Sequence, residues 1–132
     1  METTPQRIQR KRTKGWRIPE NTVCVGRGSK WGNPFWVIGS GSNWVIFCAE
    51  VKNENHNKIA QDIFHNEFLK NTTYTTICAA LNISVEMYSE YSEKTGLKEL
   101  AKEELKNKNI ACWCKLTAIC HGDVLLKIAN EL

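Results

Sequence analysis

The chain has 132 residues, 42% apolar and 24% charged, which is the balance of one soluble globular domain. A domain of that length buries roughly 68% of its unfolded surface, so it can hold a core without disulfide staples. The net charge of +4 is unevenly spread: Met1 to Trp31 carries eight Lys/Arg against two Glu, a net of +6, and the remainder sums to −2. A block of positive charge at one end attracts phosphates, on nucleic acid, nucleotides or anionic lipid.

The longest strongly apolar run, Trp44 to Ala49, is too short for a membrane span. METTPQRIQRKRTK has no apolar stretch of the kind a secretory signal needs. The expectation is a cytoplasmic, intracellular protein with no membrane partner, whose six cysteines are thiols or metal ligands before they are disulfides.

Residues 1–18 read as a basic arm. Arg7, Arg10, Lys11, Arg12, Lys14 and Arg17 crowd there, and Gly15 and Pro19 resist a long helix. Ile8, Trp16 and Ile18 are interleaved with them, so the arm is expected to pack on the body. Arg10, Lys11, Arg12, Lys14 and Arg17 are the candidate nucleic-acid contacts. Thr22 to Gly26 is a β-branched run and a strand candidate.

The segment from Arg27 to Phe35 cannot be regular structure. One reading is an anion cradle. Gly28 and Gly32 would allow close backbone approach, Arg27, Ser29, Lys30 and Asn33 would hold phosphate or sugar, and Trp31 would stack a base. The other is a tight turn whose aromatics plug the core while the cations stay in water.

Phe35 to Ile38 and Trp44 to Ala49 flank the turn-rich GSGSN and form a hairpin pattern. From Asn55 to Lys70 the period becomes helical, with Ile59, Ile63, Phe64 and Leu69 on one stripe and Phe68 beside them. His56 and His65 on that helix have no partner at ligand spacing. Residues 71–94 give no clear reading beyond a helix that could begin near Ile83. Thr95 to Lys106 is an amphipathic helix, Asn109 to Cys114 a short buried strand, and Asp123 to Leu132 a final helix with Val124, Leu125, Ile128, Ala129 and Leu132 inward. Helix, strand, loop and helix suggest an α/β class: a single small Rossmann-like domain with a mainly parallel central sheet, flanking helices, a basic arm and a β-hairpin.

CWCKLTAICHGD, residues 112–123, gathers three of the six cysteines and one of the three histidines at a strand-to-helix junction. Residues two apart on a strand share a face, so Cys112 and Cys114 point one way and Trp113 the other. Two chemistries fit. In the first, Cys112, Cys114, Cys120 and His121 make a Cys3His zinc site, though C-x-C is a tighter clamp than the usual C-x2-C. In the second, which the residue pattern favours, no metal is bound. The helix N-terminus then makes an anion pocket in which a cysteine thiolate, His121 as general acid or base, and Asp123 as its orienter act on a substrate. That assigns reactive roles to Cys114, Cys120, His121 and Asp123, with Cys112 a core residue.

The order KGWR…PENTV…GR-x-SKWGNPF…ACWC…CH-x-DVLL…AN resembles a family of small phage and bacterial proteins catalogued as a domain of unknown function. The likeness covers about Arg7 to Phe35 and Lys106 to Asn130. Gly28 and Lys115 stand where the family usually has proline. The resemblance implies no activity, but it pairs the SKWGNPF loop with the cysteine junction. Together the two blocks suggest a pocket that binds, or as a transferase or hydrolase modifies, a nucleotide or nucleic-acid-linked group. The alternative is a non-enzymatic nucleic-acid-binding module stabilised by the zinc site.

Overall fold

The computed structural model describes residues 5–27, 29–66 and 72–130. The expectations attached to Gly28, Phe68, Leu69 and Leu132 lie outside the described residues. In chain order the elements are β1 (Arg7–Gln9), β2 (Thr22–Cys24), β3 (Phe35–Ser40), β4 (Asn43–Cys48), α1 (Glu54–Asn66), α2 (Ile77–Thr95), α3 (Leu97–Glu104), β5 (Asn109–Cys112) and α4 (His121–Asn130). The class is mixed α/β. No helix among the described residues is long and apolar enough to cross a membrane.

The chain divides into two compact units, one built from Met1–Gly32 with Leu97–Leu132 and the other from Asn33–Gly96. The first holds a three-stranded sheet of order β1-β5-β2, parallel throughout. Arg7, Ile8 and Gln9 stand opposite Ile110, Ala111 and Cys112, while Thr22, Val23 and Cys24 stand opposite Asn109, Ile110 and Ala111. A central parallel strand is covered on both faces, which is why NIAC is nearly continuous in apolar character. Ile110 and Ala111 are fully buried. The arm therefore does more than pack on the body: its residues Arg7–Gln9 form an edge strand of the sheet. Helix α4 packs on α3, β5 and β1, with Leu125, Ile128 and Ala129 inward. It begins two residues earlier than its apolar pattern suggests, at His121.

The second unit is the expected antiparallel hairpin, β3 with β4, together with α1 and α2. Trp44 also makes a reciprocal pair of backbone hydrogen bonds with Tyr74. Phe35 meets Tyr91 edge to face at 6.0 Å, and Tyr88 lies 5.9 Å from the same ring, so aromatic area dominates this core.

Burial pushes the Cys48 thiol up from 9.0 to about 11 and, with Cys48 beside it, the Tyr91 phenol up from 10.0 to about 12. Both groups ionise first in the unfolded chain, so above about pH 9 the folded state binds more protons. Stability is therefore expected to be intact below pH 9 and to fall progressively toward pH 12. Urea midpoints measured against pH check this, and Tyr91→Phe should flatten the upper part of the decline; an unchanged slope in that variant would assign the loss elsewhere.

Candidate metal centre and basic surface

At the C-terminal end of β5 the chain leaves the sheet, loops through residues 113–120 and re-enters regular structure at α4. The three sulfurs of Cys112, Cys114 and Cys120 lie within 4.8 Å of one another, and those of Cys112 and Cys120 are 3.4 Å apart. A tetrahedral zinc with Zn–S bonds of about 2.3 Å needs sulfurs about 3.8 Å apart, so the spacing fits the ion. Cys112 and Cys120 are 1% and 3% exposed, and Cys114 is the most open of the three. These cysteines could hold a metal.

The surroundings of the cluster supply two further features. Hydrogen bonds from the Cys114 and Cys120 thiols, and then from the Arg7 guanidinium, hold Cys112 far below the usual thiol range against the opposing effect of burial. The bonds to Cys112 raise Cys114 and Cys120 in turn. At the helix start, the Gly122 amide donates to Cys120 Sγ at 3.4 Å, making the sulfur a cap for one of the helix's free N–H groups.

His121 is 8% exposed, and burial lowers its pKa although a bond to the Val25 carbonyl opposes the shift. Burial therefore favours the neutral ring. Its Nε2 lies 2.7 Å from the Val25 carbonyl oxygen, which can only accept, so the proton sits on Nε2. The lone pair is left on Nδ1, 3.8 Å from Cys120 Sγ. A backbone carbonyl fixing one ring nitrogen so that the other can ligate is the usual arrangement around a metal-bound histidine.

Arg7 ties these pieces together. Its Nη1 donates to Cys112 Sγ at 3.6 Å and its Nε pairs with Asp123 Oδ1 at 2.9 Å. Nη2 donates to the carbonyls of Lys115, Leu116 and Ala118 at 3.1, 2.9 and 2.9 Å. The side chain is 6% exposed. A Cβ at Gly122 would be a tight fit, 3.3 Å from Arg7 Cδ and 3.4 Å from Ile110 Cγ2.

On the outer side, Trp113 is 43% exposed and carries two guanidiniums, Arg10 at 4.5 Å and Arg12 at 4.7 Å from its ring centroid. Lys11, Lys14 and Arg17 are exposed along the same arm.

A family model described as Domain of unknown function (DUF4326) matches residues 8–131. The chain belongs to that family. No curated protein and no solved structure gives a significant match.

In this DUF4326 chain His121 bonds to the carbonyl of Val25, four residues before the SKWGNPF loop begins at Ser29. The loop's own side chains are engaged locally. Ser29 Oγ donates to the Gly26 carbonyl at 2.7 Å, and Gly32 N donates back to Ser29 O, so the segment closes as a tight turn. A Cβ on Gly32 would come within 3.2 Å of the Ser29 carbonyl. Lys30 pairs with Glu104 at 2.8 Å and lies over the Trp31 ring, which is 3% exposed. Arg27 is exposed at the start of the turn. Asn33, in the other unit, donates to Ser84 Oγ at 3.0 Å and accepts from the Phe35 amide at 2.9 Å, pinning the first residue of β3.

Of the residues given reactive roles, the structure brings Cys114 and Cys120 together, sets His121 Nδ1 beside Cys120 alone, and ties Asp123 to the cluster through Arg7. Cys112, read as a core residue, is buried and also belongs to the sulfur cluster. Sequence reasoning missed the part Arg7 plays, because all its partners lie more than a hundred positions away. Trp113 was within reach: strand alternation predicted it to point away from the cysteines, although β5 ends one residue before it.

Proposed function

We propose that this DUF4326 protein is a nucleic-acid-binding module whose basic surface is built around a Cys/His zinc site. Cys112, Cys114 and Cys120 would hold the ion, with His121 Nδ1 as the fourth donor, and the bound zinc would supply cross-linking of the strand-to-helix junction. One observation carries the reading. Trp113, the residue between two of the candidate ligands, is also the platform on which Arg10 and Arg12 stack.

Stacked guanidiniums have little rotamer freedom left to lose, which suits bidentate phosphate contacts. Lys11, Lys14 and Arg17 extend the charge along the arm. The contacts are to phosphate, so the affinity is expected to be general in sequence and strongly dependent on salt.

The rival, a nucleotide-modifying pocket at the same junction, has in its favour the bond from His121 to Val25, just upstream of the glycine-rich loop. Against it stands the engagement of its groups: Cys120 is nearly buried, both His121 nitrogens face protein atoms, and Asp123, though half exposed, is paired with Arg7. A general acid or base must reach its substrate within hydrogen-bond distance.

Metal analysis of the purified chain, joined to binding titrations on a short duplex, tests the proposal. It predicts one zinc per chain. It also predicts a log–log salt slope between about −2 and −4.5, the values for two to five phosphate contacts. A metal-free protein, or binding to anionic vesicles but not to DNA or RNA, would defeat it.

A further inference from the structure

We infer that Arg7 is a positioning residue that couples metal occupancy to the placement of the basic arm. The inference rests on the zinc site proposed above and goes beyond it by naming how the ion governs the surface.

Arg7 sits on β1, three residues before Arg10 and five before Arg12. Its guanidinium reaches a candidate ligand, Cys112, three carbonyls of the loop between the ligands Cys114 and Cys120, and Asp123 in the first turn of α4. Every segment that a metal would draw together is thus already bound to this one side chain. An N–H donor to a ligating sulfur and a set of bonds that orient the ligand loop are what outer-shell groups contribute to a metal site. Its positive charge also offsets the excess negative charge that three thiolates place around a divalent ion.

The arm follows from the same anchor. Beyond β1 the Arg10 amide donates to the Cys112 carbonyl at 2.7 Å, so the backbone that carries the stacked guanidiniums hangs on a ligand residue. On the other side of Arg7, the Ile110 amide donates to the Gln6 carbonyl at 3.1 Å. When the metal leaves, the sulfur cluster and the 115–118 carbonyls lose their fixed positions, Arg7 loses its socket, and the three-residue strand β1 is left with its edge pairing to β5 and its packing on α4. Linkage makes the effect reciprocal: whatever holds the arm in place also tightens the metal.

The test uses the full chain and the metal alone. In the wild-type protein, zinc is expected to slow exchange of the Arg10 and Ile110 amides, with the Trp44 and Tyr74 amides of the other unit as an internal reference. Arg7→Gln is expected to lower zinc affinity, measured by chelator competition, by about 10- to 100-fold. Its cobalt-substituted form should keep the thiolate charge-transfer bands of the wild type, because no ligand has been removed. In that variant the Arg10 amide should respond to metal much less than before, and Arg7→Lys, which keeps the charge and loses the fork, should not restore the response. Zinc uptake by the wild type with no change at Arg10 and Ile110 overturns the coupling alone. No zinc uptake by the wild type overturns the metal centre, and the coupling with it. The wild-type exchange measurement decides the matter even if Arg7→Gln fails to fold.

Discussion

Cys120→Ser is expected to abolish stoichiometric zinc and to destabilise the sheet-bearing unit by more than about 4 kcal/mol, the range typical of a lost structural metal. Cys120 sits at the centre of the constellation, since its sulfur touches Cys112 Sγ, lies beside His121 Nδ1 and accepts the Gly122 amide that opens α4. Serine keeps a weak cap for that amide and removes the soft donor. Chelator should reproduce the loss in the wild-type chain and add nothing to it in the variant, because an ion that binds only the folded state stabilises by mass action. Cys78→Ser supplies the control, an exposed cysteine on α2 outside the cluster, and should leave both zinc and melting temperature unchanged. One equivalent of zinc retained in Cys120→Ser, or a wild-type melting temperature indifferent to chelator, would refute the assignment.

Replacing Arg10 and Arg12 together by alanine should weaken binding to a short duplex on the order of 100-fold at low salt, taking about 1.5 kcal/mol for each charge-assisted contact. The salt slope should become shallower by about 1.8, the share of two phosphate contacts. Trp113→Ala separates charge from order. It leaves every cation in place and removes the platform at 4.5 and 4.7 Å, with a loss of about 0.5–1 kcal/mol per stacked guanidinium. Affinity should therefore drop about 5- to 30-fold while the slope stays near the wild-type value. A double arginine variant that binds like the wild type would place the nucleic-acid surface elsewhere.

Much of the fold was legible wherever local pattern and tertiary role agree. The hairpin at Phe35–Ser40 and Asn43–Cys48 shows alternation around a glycine- and serine-rich turn, and β5 shows the short apolar run of a covered strand. Helix α2, over Ile77–Thr95, was legible only from about Ile83, and the reason is physical. Its buried face includes Ser84 and Ser92, 2% and 0% exposed, so the apolar period is interrupted where the helix is most enclosed. Those hydroxyls are satisfied inside the structure, Ser84 by the Phe35 carbonyl and Ser92 by the Ser89 carbonyl, which sequence does not reveal. Its start is set by Thr76, whose hydroxyl accepts from the Ala79 amide, within a threonine cluster that favours strand or turn by propensity.

The site was half legible. The cysteine spacing marked the junction correctly, yet C-x-C argued against a metal when both residues were assumed to stay on the strand. In the structure β5 ends at Cys112 and Cys114 lies in the loop beyond, which frees its sulfur to approach the other two. The β1 strand left almost no trace, because three residues with a single apolar side chain become a strand only by pairing with β5.

That pairing also sets an order of events during synthesis. Gln6 and Asn109 are hydrogen-bonded across 103 positions, and the strands flanking β5 both precede it in the chain. At about 5–20 residues per second, the first strand waits roughly 5–20 seconds on the ribosome for its partner. The whole of Asn33–Gly96 emerges in that interval and can fold on its own contacts, which are local, while the sheet depends on distant ones. The arm is thus made well before the strand that holds it and put in place only afterwards, its cations in solution until the cysteine junction arrives to receive them.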